Sequence, residues 1–377
     1  MEYQLYATCP DELTGLLAEE IASLGGTFVR TAYRVVYFSA SQEVFYRVHL
    51  YSRLASRICR ILKVIPAHSP TIVFDKARRI RFHEVFPPEL AIGIEVVAAQ
   101  DEGPIPNHLI GSKLREAVND CFQHHLNVLP NQSSRNAVIG ITGYFHRKRL
   151  MVSIDTSGES LHRRGFRLEG HPAPLKETLA AALLLVCGYD GTTAFFDPMC
   201  GSGTIAIEAA LMAVNRAPGL GRKKGGFGFE HLLDFDPGLW QAVQGQARRT
   251  ERPAPAGIFA ADIDPQFIQI ARKTAAKARL EKVIRFETRD FFLTEKPAER
   301  GLLIANIPYG VRMEGQEVDS AFLRKVGDHL KKRFTGWRCG ILAPAAAPLK
   351  EIGLKPQKQA PFLNGTVPVK FVVFDIY

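Results

Sequence analysis

The sequence predicts an α/β protein in two parts. Residues 1–165 form a mixed α+β region, and residues 166–377 form a domain on a mostly parallel, doubly wound sheet. Three observations carry this. In the first part, strand-like and helix-like segments follow one another without regular alternation, as small α+β layers do. From Leu175 onward, strand and helix alternate with short connections, the signature of a parallel sheet covered on both faces. Between the two, GFRLEGHPAP supplies the Gly and Pro of a boundary.

In the first part, YQLYATCP reads as a strand and ELTGLLAEEIASLGG as a helix stopped by a glycine pair. TFVRTAYRVVYFSAS gives short alternating strands. SQEVFYRVHLYSRLASRICRIL reads as one helix carrying Arg47, Arg53, Arg57 and Arg60. TIVFDKARRI, PELAIGIEVVAAQ and GSKLREAVNDCFQHHL follow, then strands in NAVIGITGYFHRKRLMVSIDTSG, with Arg147 to Arg149 read as a hairpin turn. In the second part, PLKETLAAALLLVCGY is a helix, TTAFFDPMC a strand and TIAIEAALMAVNRA the next helix. GIFAADID and PQFIQIARKTAAKARL repeat the pair. VIRFETRD, LLIANIPYG, the helix SAFLRKVGDHLKKRF and the strand RCGILAP continue it, and TVPVKFVVFDIY contains a last strand.

At 377 residues the chain is long enough for two cores, and 46% hydrophobic with 23% charged residues is a globular composition. No apolar run approaches the roughly 20 residues of a membrane span. The longest, from Leu179 to Cys187, is ended by Gly188 and Asp190 and reads as a buried helix. The N-terminus shows no secretion signal, so the expected location is cytoplasmic. Cys9, Cys59, Cys121, Cys187, Cys200 and Cys339 are scattered and read as reduced, buried thiols. No metal is expected: adjacent His124 and His125 point about 100° apart on a helix and cannot easily share an ion.

The net charge of +10 suggests a polyanionic partner. Residues 30–172 hold 20 Lys+Arg against 12 Asp+Glu, and residues 173–377 hold 28 against 21. Both parts are basic, which suits a ligand bridging them.

The loop Asp197-Pro198-Met199-Cys200-Gly201-Ser202-Gly203-Thr204 lies between a strand and a helix. Ligands of doubly wound sheets bind at such strand ends, and Gly201 and Gly203 let the backbone turn and approach them. Neither a third glycine at dinucleotide spacing nor Gly-Lys-Ser/Thr is present, which disfavours NAD and phosphate-loop readings. Asp262, ending the next strand, can accept both ribose hydroxyls of a nucleoside. Asp264 with Pro265 reads instead as a helix cap. Asp290, at the third strand end, is placed for an adenine amine, and Asp197 for the ammonium of an amino acid. Three acids at three strand ends suit a cationic amino-acid nucleoside better than a pyrophosphate.

Asn306-Ile307-Pro308-Tyr309 follows the fourth strand. The Asn306 side-chain oxygen, with a backbone carbonyl, can accept from an exocyclic base amine, and the Tyr309 face can stack on a base that has left its helix. Pro308 fixes the turn that aims both.

DPMCGSGT, AADID and NIPYG together resemble class I S-adenosylmethionine-dependent methyltransferases acting on exocyclic base amines. The wider set SGESLHRRGFR, APLKETLAAALL, DPMCGSGTIAIEAA, APG and FGFE resembles the THUMP-containing RNA guanine-N2 methyltransferases, especially the RlmL type that acts on large-subunit ribosomal RNA. The resemblance covers nearly the whole chain. It implies a ferredoxin-like plus THUMP RNA-binding region ahead of a Rossmann-like methyltransferase domain. GSKLREAVNDCFQ matches THUMP only loosely. It also implies S-adenosylmethionine as cofactor, held by Asp197, Pro198, Cys200, Gly201, Gly203, Thr204, Asp262, Ile263, Asp290, Phe291 and Asn306. Asn306, Pro308 and Tyr309 would be catalytic. The usual bacterial tetrapeptide has Pro at the second position; Ile307 keeps its N–H and lacks a fixed φ, so some rigidity of the turn is lost. By that resemblance, one methyltransferase domain is expected, without the second catalytic half of fused members.

Of the basic clusters, His162-Arg163-Arg164 with Arg167 sits where the two parts meet, and Arg163, Arg164 and Arg167 are the expected RNA phosphate contacts. Arg222 to Gly226 reads as a mobile loop ordered by RNA. The expected reaction is methylation of guanine N2 in RNA, with 23S rRNA or its precursor as the substrate. The alternatives are a tRNA guanine-N2 or an adenine-N6 methyltransferase, a catalytically inactive RNA-binding protein, and a nicotinamide-dependent oxidoreductase.

Overall fold

The computed structural model describes residues 2–99, 105–132, 137–168, 175–308 and 319–377. The chain opens with β1 (Glu2–Thr8), α1 (Thr14–Ser23), β2 (Thr27–Ala32), β3 (Val35–Ser41), α2 (Gln42–Tyr51) and β4 (Arg57–Pro66). Their sheet order, β2-β3-β1-β4, is the ferredoxin-like arrangement expected. Then come α3 (Pro70–Ala77), β5 (Ile92–Ala98), α4 (Asn107–Leu126), β6 (Ile139–His146) and β7 (Arg149–Asp155). These join the same sheet rather than forming a second layer: β7 pairs with β4, and the seven strands run β2-β3-β1-β4-β7-β6-β5. Arg147 and Lys148 take positive φ at the β6–β7 turn, so the basic run there is a hairpin, as read.

The single helix expected across SQEVFYRVHLYSRLASRICRIL is a correction. The helix stops at Tyr51, because Ser52 turns to extended backbone and the Glu20 carboxylate accepts from Ser52 Oγ and Arg53 N, both at 2.7 Å. RICRILKVIP then becomes β4, hydrogen-bonded to β1 on one side and β7 on the other. Tertiary pairing overrides the helical spacing, and Arg47, Arg53, Arg57 and Arg60 do not share a helix face.

The second part contains α5 (Glu177–Val186), β8 (Ala194–Asp197), α6 (Thr204–Ala213), α7 (Pro237–Arg249), β9 (Ile258–Asp262), α8 (Pro265–Lys277), β10 (Ile284–Thr288), β11 (Gly301–Asn306), α9 (Ser320–Arg333), β12 (Arg338–Pro344), β13 (Lys358–Asn364) and β14 (Val367–Asp375). The sheet order is β10-β9-β8-β11-β12-β14-β13. The first five strands are parallel, and a terminal hairpin runs antiparallel. This is the Rossmann-like doubly wound sheet expected. Sequence reading missed β13 and α7. Among the described residues no helix is long and apolar enough to cross a membrane.

The two parts share an aromatic junction. His49 on α2 packs with Phe45 and with Phe227 and Phe229 of the second part, at centroid distances of 4.5, 6.1 and 4.9 Å, and Trp240 of α7 closes on Phe229 at 5.1 Å. At its edge Asp234 accepts from Tyr3 Oη at 2.9 Å and pairs with Arg60 at 2.6 Å. Beside it lies a buried ion pair. Glu208 of α6 is 0% exposed and Arg164 of the connecting segment 2%, with Nε 3.4 Å from Oε1. The Arg164 guanidinium also donates to the carbonyls of Leu161, Ser52 and Arg53 at 2.7, 3.3 and 2.7 Å, and Arg53 approaches the other Glu208 oxygen at 3.7 Å.

Arg164→Ala is expected to cost about 3–5 kcal/mol in denaturant unfolding by stranding the Glu208 carboxylate, while Arg164→Met with Glu208→Leu recovers most of that. A loss below about 1 kcal/mol would contradict the buried pairing. His49 gives a second test. Burial pushes its imidazole down to about 3, so the unfolded chain binds its proton first. Stability should therefore fall as pH drops from about 6.5 toward 3, by up to about 1.4 kcal/mol per pH unit. His49→Gln should flatten that slope; an unchanged slope would refute the assignment.

Candidate active site

The site is assembled at the carboxyl ends of β8, β9, β10 and β11. Asp197 ends β8, fully buried, and Pro198 follows it, also buried. Cys200 N donates to Ala261 O at 2.9 Å, stitching the loop to β9, and the Cys200 side chain is buried. Gly201 and Gly203 have φ of +53° and +81°, the left-handed region where a side chain is strained. A Cβ on Gly203 would also come within 3.1 Å of the Ala271 methyl of α8. The loop thus packs against α8 and delivers Thr204, nearly buried, as the first residue of α6.

Asp262, ending β9, reaches back to this loop. Its Oδ2 accepts from Gly201 N at 2.8 Å and its Oδ1 from Asp264 N at 3.1 Å. A carboxylate has about four acceptor positions, so capacity for further donors is left. Beside it Ile263 is 68% exposed. Asp264 caps α8 through Gln266 N at 2.7 Å, as read. At the third strand end the Asp290 Oδ1 accepts from Phe292 N at 2.9 Å.

The Phe291 ring is buried against His329 and Phe334, at centroid distances of 4.7 and 6.3 Å, so a cofactor contact at this expected position would run through its backbone.

Asn306 ends β11 and is buried, and its Oδ1 has no hydrogen-bond partner among the described residues. It borders a pocket of only about 10 Å³ that it shares with Leu175, Met199, Cys200, Ser202, Thr204 and Ile205. Asn306 therefore borders the glycine loop. A buried, unsatisfied oxygen costs about 1–3 kcal/mol unless a ligand donates to it. Pro308 is half-buried at the strand end; Tyr309 lies outside the described residues. Ile307 was expected to loosen the turn. Its N–H donates to Leu342 O at 3.1 Å and its side chain is fully buried, so the end of β11 is fastened to β12 by a bond that proline could not make.

Glu177, at the start of α5, was missed. It is 1% exposed and accepts from Arg167 Nε at 2.9 Å, while its Oε2 has no partner among the described residues. It shares a second small pocket with Ser202 and Thr204. Burial pushes its carboxyl up, opposed by Arg167. The signal was present in APLKETLAAALL, where an acid precedes an otherwise apolar helix.

Of the three expected RNA-contacting arginines, Arg164 is corrected: it is buried at 2% exposure and engaged by three carbonyls and Glu208, out of reach of a phosphate at the surface. Arg167 is turned inward, on Glu177 and Leu175 O. Arg163 alone is well exposed, at 65%. It lines a cleft of about 1080 Å³ between the two parts, with Arg57, Arg222, Lys223 and Lys277 and the acids Glu95, Asp155 and Glu159. The loop expected to be mobile is tied down, because the Arg222 guanidinium donates to the carbonyls of Ser157, Glu159, Ser160, Arg163 and Gly226.

Ile307→Pro, which restores the commoner tetrapeptide, is expected to destabilise the protein by about 2–4 kcal/mol by deleting the bond to Leu342 and part of a buried side chain. Ile307→Val should cost only about 0.5–1.5 kcal/mol. A neutral or stabilising Ile307→Pro in thermal unfolding would contradict this reading.

Comparison with known proteins bears on the whole arrangement. Residues 164–371 match the family described as RMKL-like, methyltransferase domain, and residues 4–59 match the RlmL ferredoxin-like domain. The chain is 34% identical to the ribosomal RNA large subunit methyltransferase K/L of Cellvibrio japonicus, over 100% of this chain and 51% of that protein. It is 32% identical to a Synechocystis protein provisionally named an RNA methyltransferase, slr0064, over 99% and 96% of the two chains. The chain spans about half the length of the K/L relatives it matches. Among solved structures, SMU.472, provisionally described as a methyltransferase and complexed with SAH, is 26% identical with a TM-score of 0.86, covering 100% of this chain and 98% of that one. A Listeria monocytogenes protein, described from prediction as an N6-adenine-specific DNA methylase, is 26% identical with a TM-score of 0.88, covering 100% and 97%. With a glycine loop, three strand-end acids and Asn306 set on a Rossmann-like sheet behind a ferredoxin-like unit, the chain belongs to the RMKL-like methyltransferase-domain family.

Proposed function

We propose that the chain transfers a methyl group from S-adenosylmethionine to the exocyclic N2 amine of a guanine in RNA, with 23S rRNA or its precursor as substrate. Asn306 carries the reading: it is a buried strand-end amide whose Oδ1 has no partner among the described residues, bordering the glycine loop. The family match and the relatives named for large-subunit ribosomal RNA support it, as does a similar structure that binds SAH, the demethylated donor.

The residues divide the work by their chemistry. Asp262 retains acceptor capacity beyond its two backbone bonds and takes the ribose hydroxyls. Ile263 lays its exposed side chain against the adenine ring, and Asp290 accepts from the adenine amine through the oxygen not used on Phe292 N. Asp197, Thr204 and the loop from Pro198 to Gly203 hold the amino-acid end, with the Glu177 carboxylate close by. When bound, S-adenosylmethionine supplies an electrophilic methyl on a sulfonium, so in-line positioning suffices without a strong base. Asn306 Oδ1 accepts one N–H of the target amine and turns the nitrogen lone pair toward that methyl. Pro308 holds the turn, and Tyr309 stacks on the flipped base. Transfer would break the sulfonium S–C bond as the N–C bond forms, the donor would leave as its neutral thioether, and the amine's extra proton would pass to solvent.

Arg163, Lys223 and Lys277, lining the cleft, contact phosphates. The lobe of α3, α4 and β5–β7 serves as the THUMP-type RNA-binding portion, and the chain works in the cytoplasm beside its RNA.

Purified protein given labelled donor and undermodified large-subunit rRNA should yield labelled N2-methylguanosine. Label in tRNA alone would move the substrate, and N6-methyladenosine would move the reading to the adenine alternative. Clear RNA binding with no label in either RNA would overturn the enzyme reading. Asn306→Ala should lower kcat by about 10²-fold or more with donor affinity nearly intact, whereas Asp262→Ala should weaken donor binding first, by about tenfold in calorimetry. Equal losses of donor affinity in both variants would contradict the division of roles.

A further inference from the structure

In the N-terminal part, the fold gathers three side chains that the sequence keeps apart. His83 lies in the 3-10 turn Phe82–Glu84, and Cys121 and His125 lie four residues apart on α4. One donor atom from each, two imidazole nitrogens and a thiol sulfur, lies within 4.8 Å of the others. We propose that His83, Cys121 and His125 form a binding site for a d-block cation of zinc(II) type, which staples the turn to α4.

The spacing on α4 puts Cys121 and His125 on one face, one turn apart. This is the pair sequence reading overlooked by weighing His125 against its neighbour His124. Cys121 is buried, and its Sγ lies 3.3 Å from His83 Nδ1 and 3.4 Å from Ile80 O. The other ring nitrogen of His83 faces the Glu84 carboxylate at 4.0 Å, and Arg81 pairs with that same carboxylate. The His83 nitrogen that faces the thiol, Nδ1, is the one placed to bind a shared ion. The His83 and His125 rings stack with centroids 4.0 Å apart and 19° between planes. His125 is exposed, so its ring is free to turn its nitrogen toward a shared ion.

Two imidazoles and a thiolate are nitrogen and sulfur donors, which suit zinc(II) and exclude magnesium or calcium as natural occupants. Tetrahedral zinc would complete its shell with solvent on the exposed His125 side. Binding releases the Cys121 proton to solvent and closes the chain between residues 83 and 121 over the α3–α4 lobe, stabilising it. The site is independent of the methyl-transfer reading.

The test uses the full chain, stripped with a chelator and desalted, then titrated with cobalt(II) as the optical reporter for zinc(II). One equivalent should bind with a thiolate-to-cobalt charge-transfer band and tetrahedral d–d absorption, and zinc(II) should bleach both. Cys121→Ser should abolish the charge-transfer band. His125→Asn, at an exposed position where the fold is not at stake, should weaken binding by more than the roughly tenfold that loss of an outer partner costs. His124→Asn should change neither. Failure of the folded protein to bind either ion saturably would overturn the proposal, as would undiminished binding in both Cys121→Ser and His125→Asn.

Discussion

The arrangement depends on one buried ion pair. Glu208 stands one turn into α6, the helix that Thr204 opens at the end of the glycine loop, and Arg164 meets it from the connecting segment. Arg53, from the loop between α2 and β4, reaches the same carboxylate. Charges removed from water are costly unless geometry and further hydrogen bonds offset the loss, and here the Arg164 guanidinium is filled by three backbone carbonyls besides the acid. What the pair supplies is register. The helix behind the glycine loop is fixed against the ferredoxin-like unit, so the placement of one part relative to the other is set. The aromatic junction of Phe45, Tyr46, His49, Phe229 and Trp240 gives area to that contact, while the charges determine which surfaces meet.

The site itself is organised by backbone bonds more than by side-chain contacts. Asp262 grips the loop at Gly201 N, Cys200 N is tied to Ala261 O, and Ile307 N is tied to Leu342 O. Two pairs of strand ends, β8 with β9 and β11 with β12, are cross-linked in this way, while Asn306 Oδ1 keeps no partner among the described residues. At Ile307 the strand end is held by a ladder hydrogen bond that proline could not make and by a fully buried side chain.

Much of the second part was legible, because a parallel sheet writes alternating apolar strands and amphipathic helices with turn residues between them. The glycine loop, Asp262, Asp264 and Asn306 fall where that pattern puts them. The first part was less so. RICRIL carries apolar residues that fit either helix or strand, and only pairing with β1 and β7 decides for strand. Arg163 and Arg164 are neighbours of identical type, yet one faces solvent and the other is buried, because the deciding partner, Glu208, lies 44 residues away. The burial of the Phe291 ring was not legible either, because His329 and Phe334, which pack against it, come from a distant part of the chain. His83 and Cys121 are 38 residues apart, so no local spacing could join them.

The central claim is that Asn306 aims a guanine amine of large-subunit RNA at a donor methyl. Its most direct measurement is nucleoside mass spectrometry, with site mapping, of 23S rRNA from cells lacking this protein, compared with cells given back the wild type or Asn306→Ala. The account expects one N2-methylguanosine to disappear, to return with the wild type and to stay absent with Asn306→Ala. An rRNA unchanged by the deletion, or restored equally by Asn306→Ala, would contradict it.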